Sequence, residues 1–260
     1  MSTDLQAAAA RLSAEFTGQT PIERLTALRA QVPGRLVFTT SLGLEDQVIT
    51  HLIAQARVDI DIVTLDTGRM FPETYTLWRD TEDRYGVSIR PYYGKGEALE
   101  GLVAKQGIDG FYNSLDARHA CCEVRKVEPL GRALAGASAW VTGLRADASQ
   151  NRAGMEAVAL DTSRGLVKFS PLFDLTRDAI AEFAARESVP VSPLHGKGFL
   201  SIGCAPCTRA IAPGEPERAG RWWWEQEDAK ECGLHVDANG RLIRAKTPAA
   251  KTTNRETLHK

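Results

Sequence analysis

The chain has 260 residues, 43% hydrophobic and 25% charged, the composition of a soluble globular protein with a sizeable core. With 32 basic and 33 acidic side chains its formal net charge is -1, so no bulk field draws nucleic acid or a membrane surface. Any anionic ligand must be held by a local cluster of cations.

The opening "MSTDLQAAAARLSAEF" has no basic stretch leading into an apolar one, and no run approaches the ~18 apolar residues of a membrane span. A cytoplasmic protein with reduced thiols is the expectation. Apolar residues recur at helical spacing over 5–16 and 22–31, with Thr20 as a cap and Pro21 at the first helical position. "RLVFTTS" (35–41) reads as a buried strand and "LEDQVITHLIAQA" (44–56) as the helix after it. "DIDIVTLDTG" (59–68) predicts a second strand and 72–86 a second helix. "VSIRPYY" (87–93) predicts a third strand, followed by the helical "GEALEGLVAKQG".

Residues 118–135 suit a helix, and "SAWVTGLR" (138–145) a further strand. "AVALDTSRGLVKFSPLF" reads as a hairpin, and "TRDAIAEFAARE" (176–187) as the last helix. Beyond about residue 190 the text is irregular and rich in Gly and Pro, and 241–260 reads as a mobile tail. Strands alternating with helices predict an α/β fold, a parallel sheet with helices on both faces.

Ligands of such sheets sit at the carboxyl ends of the strands. Two strand-to-helix turns stand out, "TTSLGLED" (39–46) and "LDTGRMFPE" (65–73), where Gly and small hydroxyl residues let backbone N–H groups meet an anion. Neither a Walker A loop nor a G-x-G-x-x-G fingerprint occurs.

Of five cysteines, Cys121 and Cys122 are adjacent, while Cys204 and Cys207 form a C-x-x-C far downstream. Structural zinc prefers chelating pairs two to four residues apart, and adjacent thiolates diverge from the backbone. A thioredoxin-like pair would open a helix, yet "CAPCTRAIAPGEP" soon meets proline. A [4Fe–4S] cube gives each cysteine its own iron, so vicinal thiols can address two corners. Unrelated buried thiols remain an alternative. Cys232 stands apart among acids, and would be a good nucleophile only beside positive charge, for which Lys126, Arg218, Arg221 and His235 are the candidates.

"SLGLEDQV", "LDTGRMFPETY", "ACCEVRKVEPL", "GCAPCTRAI", "GRWWWE" and "KECGLH" together resemble the assimilatory adenylyl-sulfate reductases, the cluster-containing branch of the adenylyl-sulfate and phosphoadenylyl-sulfate reductases. The resemblance runs from about residue 35 to 235, which it implies is the catalytic domain, with helices of 1–34 packed on it and a flexible tail at 236–260. It implies an adenine-nucleotide α-hydrolase-like fold and reduction of adenosine 5′-phosphosulfate (APS) to sulfite and AMP. By this resemblance Cys232 takes the sulfonate, thioredoxin or a glutaredoxin-like dithiol releases sulfite, and the C-terminal segment with Cys232 closes over the nucleotide. Cys121, Cys122, Cys204 and Cys207 would hold a [4Fe–4S] cluster, with Lys126 between it and the substrate.

The same resemblance assigns Ser41 and Gly43, then Asp66, Thr67, Gly68 and Arg69, to the nucleotide-holding loops, and Arg145 and Arg152 to a third anion-binding segment. There Ala146 departs from the commoner text, which has a second Arg. Trp222 to Trp224 read as packing rather than base stacking. No nucleic acid or membrane partner is implied, and a homo-oligomer is left open. Three alternatives remain: a reductase of 3′-phosphoadenylyl sulfate (PAPS) or of both substrates, a non-catalytic redox-sensing iron–sulfur or zinc protein, and a nucleotide-activating ligase. The ligase would want an S-G-G-x-D-S loop, and "SLGLED" lacks its second glycine.

Overall fold

Strands β1 (Arg35–Thr40), β2 (Asp61–Asp66), β3 (Arg90–Tyr93), β4 (Ala137–Val141), β5 (Val158–Asp161) and β6 (Leu166–Phe169) form one sheet in a computed structural model that describes residues 3–16, 18–148 and 156–225. The strand order is β3-β2-β1-β4-β6-β5. The first five pair in parallel, and β5 runs antiparallel on the edge as the outer arm of the hairpin. From β1 the chain winds outward through β2 to β3, then returns to place β4 on the other flank of β1. That reversal opens a crevice at the carboxyl ends of β1 and β4.

Helices α1 (Thr3–Glu15), α2 (Pro21–Gln31), α3 (Leu44–Ala56), α4 (Pro72–Tyr85), α5 (Gly96–Gln106), α6 (Leu115–Cys122), α7 (Glu128–Leu134) and α8 (Arg177–Arg186) cover it. Side chains alternate across a strand, so each strand feeds two cores. Leu36 and Phe38 of β1 and Ile62 of β2 join the core built with α1, α2, α3 and α8. Val37 and Val63, their neighbours in sequence, face Leu130, Ala133 and Leu134 of α7. Helix α2 opens on a capping box, in which Thr20 N–H donates to Glu23 Oε2 at 2.7 Å and Glu23 N–H to Thr20 Oγ1 at 3.4 Å. No helix among the described residues is long and apolar enough to cross a membrane.

Of the boundaries that differ from those predicted, three have a local reason. Strand β3 begins at Arg90 rather than Val87, because Ile89 N–H is drawn to Glu82 Oε1 of α4 at 2.7 Å. Strand β4 ends at Val141, and the chain then turns out of the sheet at Gly143. The helix predicted from 118 starts at Leu115, where Ser114 Oγ accepts from Ala117 N–H at 3.1 Å. It is then interrupted by a π-helical turn, Glu123–Val127, in which Glu128 N–H reaches back to Glu123 O. Pro129 has no N–H to offer the carbonyl four residues earlier, so the ladder widens just before it. The tail predicted at 241–260 lies outside the described residues.

Gln47 joins α3 to two distant segments. Fully buried, its Nε2 donates to Thr81 Oγ1 of α4 and to Pro190 O, both at 2.8 Å, so the irregular stretch after α8 is held against the sheet. Gln47→Ala should cost about 1–3 kcal/mol, the penalty for leaving buried polar partners unsatisfied. Urea unfolding should show a lower midpoint with an unchanged slope.

Candidate active site

At the carboxyl end of β1 the sequence supplies small hydroxyl residues and glycine, and the turn is built from them. Ser41 N–H and Oγ–H both donate to Asp46 Oδ2, at 2.6 and 2.7 Å. Gly43 caps α3 with N–H directed at Ser41 Oγ, 3.4 Å away. Gly143 follows β4, and a Cβ there would overlap Asp46 Oδ1, so only glycine lets the two turns meet.

The second turn is tied down by its own side chains. Asp66 Oδ1 accepts from Gly68 N–H at 2.8 Å and from Tyr75 O–H at 2.9 Å. Burial, with that hydrogen bond second, pushes the Tyr75 phenol up to about 12. Gly68 takes φ +66, a conformation a side chain would strain. Arg69 turns away to pair with Asp109 at 2.7 Å, and its carbonyl accepts from Ala205 N–H at 2.7 Å. Thr67 O accepts from Arg125 Nη1 at 2.6 Å, while Thr67 Oγ1 lies 3.3 Å from the Cys204 thiol.

Four cysteines gather here from two remote segments. Cys204 and Cys207 pack with Phe111 and Trp222, and Cys121 lies against them. Cys121, Cys122, Cys204 and Cys207 are all free of disulfides. Burial and then the charge of Cys204 push Cys207 up to about 12. Burial also raises Cys204, but Lys126, the Thr67 hydroxyl and Arg221 outweigh it and leave that thiol lowered. Arg118, fully buried, forks onto Glu225 at 2.9 and 2.7 Å and also faces Cys122. A soft sulfur set ringed by cations suits a polynuclear iron–sulfur centre, in which each sulfur binds its own iron. Among the described residues no three His, Cys, Asp or Glu side chains form a group that would hold a metal ion.

Between these turns and the segment after α8 lies a cavity of about 250 Å³, lined among others by Ser41, Thr67, Lys126, Cys204, Arg218 and Arg221. Trp222 closes its floor, fully buried at φ +42, a strained backbone for a bulky residue. Arg221 sits 4.7 Å and Lys126 6.0 Å from the centre of its ring. Arg221 also donates to Ile202 O at 3.2 Å and packs on Gly203, where a Cβ would collide with its guanidinium. The side chain of Arg218 has no carboxylate partner among the described residues.

The structure therefore brings Ser41, Gly43, Thr67, Lys126, Arg218 and Arg221 to one cavity beside the four thiols. Asp66, Gly68 and Arg69 shape the second turn from behind. Arg145 reaches the cavity with its guanidinium engaged by carboxylates. Cys232, His235 and Arg152 lie outside the described residues. Sequence reasoning did not single out Asp46, Gly143, Gly203, Arg118 or His195. Only Asp46 and Gly143 carried a signal, as an acid and a glycine beside predicted strand ends. His195 lines the cavity with Nδ1 at 2.8 Å from Phe199 O, and burial keeps its pKa low.

A model of the phosphoadenosine phosphosulfate reductase domain matches residues 35–210. An adenosine 5′-phosphosulfate reductase of Sinorhizobium fredii is 54% identical over 89% of this chain and 92% of its own. Another, from Allochromatium vinosum, is 53% identical over 77% and 78%. The crystal structure of a phosphoadenylyl-sulfate reductase from Candida auris superposes with a TM-score of 0.67 at 27% identity, covering 78% of this chain and 96% of that one. Gly143→Ala should displace Asp46 and cost about 1–3 kcal/mol by overpacking. Faster amide exchange at Ser41 would report the broken turn, and an unaltered Ser41 rate would show that the contact is dispensable.

Proposed function

Since the chain belongs to the phosphoadenosine phosphosulfate reductase domain family, we propose that it reduces APS to sulfite and AMP in cytoplasmic sulfate assimilation, with Cys232 as nucleophile and thioredoxin or a glutaredoxin-like dithiol as reductant. The observation that carries this reading is the gathering of Lys126, Arg218 and Arg221 on one cavity at the switch point of the sheet. A thiolate attacking a sulfated phosphate is one anion meeting another, so cations around the reacting sulfur must offset their repulsion.

The electrons balance as follows. The Cys232 thiolate forms a bond to the sulfate sulfur, the sulfur–oxygen bond to the phosphate breaks, and AMP leaves with that electron pair. A thiolate of the dithiol then attacks Cys232 Sγ and expels sulfite, giving a mixed disulfide that the second thiol resolves. Sulfur is reduced by two electrons, and the dithiol is oxidised to a disulfide. Arg218 and Arg221 are suited to grip phosphate and sulfate oxygens through their planar forks. Ser41 and Gly43 of the first turn line the same space.

Cys121, Cys122, Cys204 and Cys207 are the residues that would hold a [4Fe–4S] cluster. When bound, it would order the Cys204–Cys207 turn and add its field at Lys126 rather than carry the two electrons. Lys126, in electrostatic contact with Cys204 and on the cavity wall, is the residue through which that field would reach the sulfate.

Anaerobically prepared protein incubated with APS and no thiol should gain one sulfonate on Cys232 by intact mass, and no adduct would overturn the assigned nucleophile. Cys204→Ser should lose iron and turnover together, whereas Cys232→Ser should keep iron and lose turnover alone. Full activity in iron-free protein would end the cluster assignment. Lys126→Ala should lower kcat by about 10²-fold, the scale of one lost charge-stabilising donor.

A further inference from the structure

The relatives divide between adenosine 5′-phosphosulfate and phosphoadenylyl-sulfate reductases, which differ in substrate by one phosphate on the ribose. Arg145 bears on that choice. Its side chain is 1% exposed and stands in the cavity wall. All three of its nitrogens already face carboxylates. Nε donates to Glu45 Oε1 at 2.8 Å, Nη2 to Glu217 Oε2 at 2.6 Å, and Nη1 to Asp147 Oδ1. Arg177 stands behind them, 3.4 Å from Glu217 and 3.9 Å from Glu45. Among the described residues two guanidinium groups thus meet three carboxylates here.

The contrast with the rest of the cavity is chemical. Arg221 directs its fork at Ile202 O and Ser201 Oγ, and Arg218 beside it has no carboxylate partner among the described residues. Along the Arg145 wall, beside His195, Glu45 and Glu217 offer carboxylate oxygens, which suit hydroxyl donors and repel an oxyanion.

We propose that Glu45 and Glu217, by filling the fork of Arg145, are specificity determinants that admit an adenylyl sulfate with free ribose hydroxyls and exclude one with a second phosphate. This rests on the nucleotide reading above. It explains why Glu217 lies one residue before Arg218: the same loop that brings cations to the sulfate brings the carboxylate that closes Arg145. Glu217 is a positioning residue and need not touch the reacting atoms.

The test is calorimetric titration of the full chain, prepared anaerobically, with AMP and with adenosine 3′,5′-bisphosphate. Wild type should bind the bisphosphate at least about tenfold more weakly than AMP, the order expected of one like-charge contact. Glu217→Gln should shrink that ratio by about tenfold, and Glu217→Asp should restore it. Asp61→Asn removes a carboxylate paired with Arg35 at the opposite pole of the sheet and should leave the ratio unchanged. Should Glu217→Gln fail to fold, Asp147→Asn, at a half-exposed carboxylate, carries the test with a smaller shift in the same direction. A wild type that binds both nucleotides equally, or a ratio that no variant moves, overturns the proposal while AMP binding stands. A wild type that binds no AMP overturns the functional reading, and this inference with it.

Discussion

The backbone of Thr67–Arg69 is the joint on which the site depends. Its carbonyls accept from Arg125 at 2.6 Å and from Ala205 N–H at 2.7 Å, and the Thr67 hydroxyl meets the Cys204 thiol. Three segments far apart in the chain, the second strand turn, the paired-cysteine helix and the C-x-x-C turn, are thereby held together. These carbonyls are available because Asp66 and Gly68 turn the chain sharply before α4 begins. A buried carbonyl left without a donor would cost stability, so the joint is a folding constraint as well as a functional one.

Charge is distributed around that joint with little waste. Arg118 and Arg145 are both fully buried and both paired with carboxylates. They act as rivets: Arg118 ties the end of the tryptophan segment to α6, and Arg145 ties the loop bearing Arg218 to the turn after β4. Removing one partner from such a buried pair strands the other charge, which is why these contacts lock the loops that cover the cavity. Lys126 and Arg221, by contrast, bear on sulfur, carbonyl and aromatic groups of the cavity wall.

Much of the architecture was legible in the text. The helix positions followed from apolar residues at helical spacing, the strands from short buried runs, the cap at Thr20 from its residue type, and the α/β class from alternation. Where prediction and structure part, the cause is a contact the local pattern does not contain. Glu82 takes the N–H of Ile89 and shortens β3, and Pro129 opens the π-turn that sets Lys126 on the cavity wall. The thiol inventory and the motif likeness pointed to the site as a whole. They did not distinguish Lys126, on the cavity, from Arg69, which faces Asp109.

By itself, then, the sequence determined which segments become helix or strand, which thiols and cations are available, and the family to which they belong. Each of these depends on residue type and short-range spacing, both of which a sequence displays. Tertiary structure alone decided what the charged groups do. Arg145 meets Glu45 from 100 residues away and Glu217 from 72, and Arg118 meets Glu225 from 107. A guanidinium that will bind a ligand and one that will be neutralised are the same letter in the text. Only the packing of distant carboxylates, with the desolvation that makes each pairing strong, tells them apart.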